Sequence, residues 1–263
     1  MENAIIRDFF RLMHYATLPG AMALICVVVF MVDDRKHGKT MMLSFSGAAG
    51  LNTLLKVLFR IPRSWMMHAG SAPFLAEGGF AFPCLHTQVT VAVLCAFSLL
   101  SGKRLPGILC AAGIFITAAV RAICRVQSGM DVLVGAAMGI ICAVIICRFR
   151  SGGNAVSGRL TGWVVFLTGL AAAVFFDDPW SAGSALSVFV LDLLEPIFHK
   201  ADEDRTRFGR LYGMILGIGI YLGACIFLPF LIEWLVTPLC PGQILIVFLL
   251  TLLPCLLSLF PVF

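Results

Sequence analysis

The sequence predicts an all-α polytopic membrane protein, and three observations carry that class. The 263 residues are 60% hydrophobic and only 13% charged, with a mean hydropathy of +0.99. Soluble domains hold about half apolar and about a quarter charged residues. Apolar windows recur along nearly the whole chain, at lengths approaching the roughly 20 residues that a helix needs to cross hydrocarbon. Basic residues gather in alternate gaps between these windows, as the positive-inside rule requires. A soluble enzyme is therefore excluded. The net charge of +5 faces a membrane surface, not nucleic acid.

The opening "MENAIIRDFFRLMHY" reads as an interfacial amphipathic helix over residues 1–16. Ile5, Ile6, Phe9, Phe10 and Met13 lie on one side, Arg7, Asp8 and Arg11 on the other. Nine spans follow, at roughly 17–32, 40–59, 86–100, 105–120, 130–147, 160–176, 181–198, 212–236 and 242–260. Charge runs at "DDRKHGK" and "HKADEDRTRFGR" separate some of them, and turn formers at "RSGGNAVSG", "DDPW" and "CPG" separate others. Most of the ten cysteines sit inside apolar windows without metal-ligand spacing, and small hydrophobes packing between helices is the expected role. Cys84, Cys124 and Cys240 fall in loops on one side, which leaves a disulfide conceivable.

Charge sets the expected orientation. Loops after odd-numbered spans hold Arg35, Lys36, Lys39, Lys103, Arg104, Arg148, Arg150, Arg159, Lys200, Arg205, Arg207 and Arg210, 12 of the 19 basic residues. That places the N-terminus outside and the C-terminus in the cytoplasm. Five basic residues defy the rule: Lys56, Arg60, Arg63, Arg121 and Arg125. All five flank spans two to five on the outer side. Each alone reads as a side chain snorkelling to water. Together they mark a functional region.

Three groups build that region. In "NTLLKVLFRIPRS", Asn52, Lys56 and Arg63 have helical face spacing, and Pro62 is expected to end the helix near Arg60 and splay Arg63 above the membrane. In "GGFAFPCLHTQ", His86 stands where span three begins, and a helix N-terminus offers free N–H groups to an anion. In "CRVQSGMDVLVG", Gln127 and Asp131 open span five, close behind Arg121 and Arg125. Guanidiniums, an ammonium and an imidazole around a helix N-terminus make an anion cradle suited to phosphate. The apolar wall below suits an acyl or isoprenoid tail. Asp192 and Glu195, on one face of span seven, mark either an ion path or partners for Lys200 and basic loop residues.

These residues resemble the type 2 phosphatidic acid phosphatase superfamily, whose signature is Lys-x6-Arg-Pro, Pro-Ser-Gly-His and Ser-Arg-x5-His-x3-Asp. Lys56 and Arg63 keep the first spacing, with Ser64 in place of Pro. Pro83 and His86 keep the ends of the second, with Cys84 and Leu85 between them. Val120, Arg121, Gln127 and Asp131 keep the third in register. The likeness covers about residues 40–148, and the span arrangement looks like the glucose-6-phosphatase and sphingosine-phosphate phosphatase branch. It divides the chain into the interfacial helix 1–16, a phosphatase-like core 17–150 and a four-span extension 151–263.

The resemblance implies roles. Lys56, Arg63 and Arg121 hold phosphate beside Cys84 and Leu85, with Asn52, Arg60 and Arg125 as accessories. His86 protonates the leaving oxygen, Asp131 orients the nucleophile, and no metal or other cofactor takes part. The nucleophile's position holds Gln127, whose amide nitrogen gives its lone pair to the carbonyl and cannot attack phosphorus. Cys84 removes a hydroxyl donor, and Leu85 puts bulk where a glycine would let the phosphate approach.

The expected protein thus binds a phosphorylated lipid or polyprenyl phosphate in an outward-facing pocket, with weak or lost hydrolysis, in a bacterial-type plasma membrane. An active phosphomonoesterase on lipid, polyprenyl or sugar phosphate is the first alternative. A lipid translocator or transporter is the second.

Overall fold

The computed structural model describes residues 19–32, 34–63, 66, 79–123, 127–151, 155–176, 179–193, 248, 249, 251, 252 and 255. Seven helices and no strand occur among them: α1 Pro19–Val32, α2 Arg35–Phe59, α3 Leu85–Ser101, α4 Arg104–Ile123, α5 Gly129–Ser151, α6 Ala155–Phe176 and α7 Pro179–Leu193. They match the first seven expected windows. The interfacial helix at 1–16 and the last two spans lie outside the described residues, apart from a few positions near 250.

Local chemistry sets the helix ends. The Asp34 carboxylate accepts from Lys36 N (2.7 Å) and caps α2. Arg60 closes α2 in the left-handed region (φ 49°), its N–H donating to Lys56 O, and Pro62 bars continuation. Gly102 (φ 61°) ends α3 in the same conformation, here without a side-chain penalty. Ser128 and Asp131 cap α5 reciprocally: Asp131 N donates to Ser128 Oγ (3.2 Å), and Ser128 N donates to Asp131 Oδ2 (2.8 Å).

Helix α2 is the hub of the bundle and packs against α1, α3, α5, α6 and α7. Its Met41, Met42, Leu43 and Phe45 join Cys26, Val27 and Phe30 of α1 and Val89, Val93 and Ala96 of α3 in the core. The most extensive pairing is α3 with α5. Gly135 and Gly139, one turn apart on α5, make it possible. A Cβ at 135 would stand 2.7 Å from Cys84 O, and one at 139 would stand 2.5 Å from Gln88 O. Small residues four apart let two backbones meet closely, a device common in membrane helices.

Among the described residues, three helices are long and apolar enough to cross a membrane: Arg35–Phe59, Arg104–Arg121 and Gly129–Arg150. Leu105, Ile108, Leu109 and Phe115 of α4, with Leu133, Ile140, Ile141 and Ile145 of α5, are exposed. Such contiguous apolar faces suit hydrocarbon. The seven described cysteines are free, and six of them are buried, as packing residues should be; Cys84 is one of them.

Two expectations are corrected. The second helix begins at Arg35, so Lys39, placed by sequence in a loop, is a buried residue of its second turn. The Asp34 cap starts the helix early, and an acid from α7 meets Lys39. Arg63 does not splay above the bundle. It is 3% exposed, because the chain turns inward past Arg60 and Ile61 O accepts from Ala81 N (2.8 Å).

Candidate functional site

The site forms where the end of α2, the loop before α3, the end of α4 and the start of α5 meet. Lys56 is half-buried on the last full turn of α2. Arg63 lies past the helix end, so it shares no helical face with Lys56. Its Nε donates to Gly79 O (3.2 Å). The Gln127 amide, oriented by its surroundings, accepts from Arg63 Nη1 (3.1 Å) and donates to Ala81 O (2.8 Å). Gln127 is 5% exposed. Both ends of its amide are therefore engaged.

Arg121 lies in the last turn of α4, and His86 sits on the first turn of α3. Arg121 is 1% exposed, and a guanidinium so deeply buried requires partners. Its Nη2 donates to His86 Nδ1. Guanidinium has no lone pair to offer, so Nδ1 is the acceptor and the ring is neutral, with its hydrogen on Nε2.

The motifs are stitched together through the backbone. Cys84 N donates to Asp131 O (3.0 Å), which ties the loop before α3 to the start of α5. The Cys84 thiol is fully buried and accepts from Thr87 Oγ1 (3.3 Å). Leu85, expected to crowd an anion, packs against the hydrophobic core. Asp131 is buried, and one of its oxygens is engaged in the α5 cap.

The accessory residues divide. Asn52 is buried beneath the site, where Nδ2 donates to Pro83 O (3.1 Å) and Gln88 Oε1 (2.8 Å). Gln88 Nε2 in turn donates to Ala48 O (3.0 Å). Asn52 thus anchors the loop that presents Cys84 and His86. Arg60 is exposed and donates from Nε to Val57 O (3.1 Å) on its own helix. Arg125 lies outside the described residues. Sequence reasoning missed Gln88 as the relay of this anchor, although an amide inside an apolar helix was a legible signal.

Residues 38–154 match the family model of the PAP2 superfamily. That segment of the chain belongs to the PAP2 superfamily. No curated protein and no solved structure matches it. The PAP2 segment begins within the first turn of α2 and ends just beyond α5, so it contains every residue expected at the phosphate site. The α6 and α7 helices lie beyond it and pack on α2 from the side. Within the PAP2 core, the arrangement pairs each buried arginine with one of the two residues nearest the expected chemistry: Arg63 with Gln127, and Arg121 with His86.

Proposed function

We propose that this PAP2 protein, a lipid-phosphate phosphatase-like membrane protein, holds the phosphate of a phosphorylated lipid or polyprenyl phosphate among Lys56, Arg63, His86 and Arg121, and hydrolyses it weakly or not at all. The pocket faces outward in this reading. Arg63 and Arg121 now donate to neutral acceptors, an amide oxygen and an imidazole nitrogen. Charge-assisted bonds to an anion are about twice as strong as neutral ones, so an arriving phosphate outcompetes these two acceptors.

One observation carries the lack of hydrolysis. Gln127 fills the nucleophile's position with an amide hydrogen-bonded at both ends, and an amide nitrogen has no lone pair for phosphorus. Active hydrolysis is favoured by a single feature: the neutral His86 ring regains a free Nδ1 lone pair once Arg121 turns to phosphate. It would then attack, but the leaving oxygen would lack its acid. The translocator reading loses its main support, because Asp192 is neutralised by Lys39 and Arg150.

The test compares binding with turnover on purified protein, using short-chain phosphatidic acid and a polyprenyl phosphate. Saturable binding that weakens with salt, with phosphate release at background, is the expected result. Rapid release abolished by His86→Ala would favour the phosphomonoesterase instead.

A further inference from the structure

A cavity lies at the other end of the bundle, about 20 Å from the proposed phosphate cradle by the 1.5 Å rise per residue between Leu43 and Lys56 on α2. It has a volume of about 290 Å³ and opens between α2, α6 and α7, where Leu43, Trp163, Val188 and Phe189 supply its apolar wall. Trp163 meets Phe189 edge-on with ring centroids 4.9 Å apart, and Phe166 stacks on Phe189 at 6.0 Å. The wall is thus rigid and aromatic. Arg159 and Asp192 are the charged groups of the lining.

The two charged groups of the lining differ in their partners. Asp192 accepts from Arg150 Nη1 (2.9 Å) and Nη2 (2.7 Å), and its Oδ1 also pairs with Lys39 Nζ (3.0 Å). Arg150 and Lys39 thus share that carboxylate, and Arg159 stands apart from them at the exposed end of the cavity. Arg159 has no acidic partner among the described residues. Arg150 Nε, on a side chain only 9% exposed, makes no hydrogen bond among the described residues. An apolar slot beside the exposed guanidinium of Arg159 matches a ligand with a hydrocarbon tail and an anionic head.

We propose that this cavity binds an anionic membrane phospholipid, its acyl chain against Trp163 and Phe189 and its phosphate on Arg159. The site is separate from the cradle and stands whether or not the cradle hydrolyses anything. A plain interfacial aromatic with a snorkelling arginine would sit at the same depth, but it would not discriminate between headgroups.

The experiment uses the full chain in nanodiscs, with Trp65→Phe, Trp180→Phe and Trp234→Phe leaving Trp163 as the reporter. Brominated phosphatidylglycerol and brominated phosphatidylcholine are compared as quenchers at equal mole fraction. Phosphatidylglycerol is expected to act with about fivefold higher apparent affinity, the attraction of one basic residue for an anionic headgroup. Arg159→Gln is expected to erase that preference and leave phosphatidylcholine quenching unchanged. Equal quenching by the two lipids in the starting chain overturns the proposal, and so does quenching by neither, since protein would then fill the slot. If the reporter chain does not fold, native mass spectrometry of the unmodified protein and of Arg159→Gln reads the same preference. Equal retention of both lipids by the unmodified protein would again overturn it.

Discussion

Gln127→His puts the functional reading under the most direct strain. Gln127 is 5% exposed and holds two hydrogen bonds, to Ala81 O and from Arg63 Nη1. A histidine of similar volume can keep the first by donating from one ring nitrogen. The second bond remains if the other nitrogen accepts from Arg63. Losing one of them costs about 1 kcal/mol, so the fold is expected to survive. The kinetic gain is larger. Removing a catalytic nucleophile from a hydrolase costs about 10⁶ in rate, which bounds what a restored one can return.

Two features of the structure reduce that return. One Asp131 oxygen is engaged in the α5 cap, so with phosphate bound the new ring must turn its single N–H from Ala81 O to the other Asp131 oxygen, while Arg63 leaves the attacking nitrogen for the anion. The Cys84 thiol is buried and offers no hydroxyl to the phosphate. A gain of about 10- to 100-fold over the starting protein is therefore expected, well short of the full nucleophile term. Phosphate release from short-chain phosphatidic acid in mixed micelles measures it, and an acid-labile phosphoenzyme should appear on the variant. Adding His86→Ala should abolish the gain. If the unmodified protein already turns over rapidly and Gln127→Ala leaves that rate unchanged, another residue performs the attack and the lost-nucleophile reasoning fails.

Three further outcomes are expected. Asp192→Asn strips Lys39 and Arg150 of their shared carboxylate and should destabilise the bundle by about 3 kcal/mol, read as a fall in melting temperature; replacing Lys39 with Met at the same time should recover part of the loss. Gly139→Ala forces a methyl to within 2.5 Å of Gln88 O, which separates α3 from α5 and should cost about 1–3 kcal/mol in thermal stability. Cysteines introduced at exposed Lys36 and Lys103 should be labelled only from the cytoplasmic side, and one at exposed Phe80 only from outside; the reverse pattern would overturn the charge-based orientation.

The sequence by itself determined the helices and the order of the chemistry along the chain. A backbone in hydrocarbon must satisfy its hydrogen bonds within each segment, so apolar windows and local caps are enough to place α1 to α7. The interval from Lys56 to Arg63 and that from Arg121 to Asp131 likewise exposed the motifs, because recognition of phosphate by several groups constrains their spacing. Pairing between distant segments was a different matter. That Asp192 meets Lys39 and Arg150, that Arg63 turns inward to Gln127, and that Asn52 anchors the Pro83 loop through its side chain depend on which helix faces which. Gly135 and Gly139 were visible as residues, but their purpose appears only once α3 lies against them. Hydropathy says that a side chain is buried in helix or lipid; only the packed bundle decides beside whom.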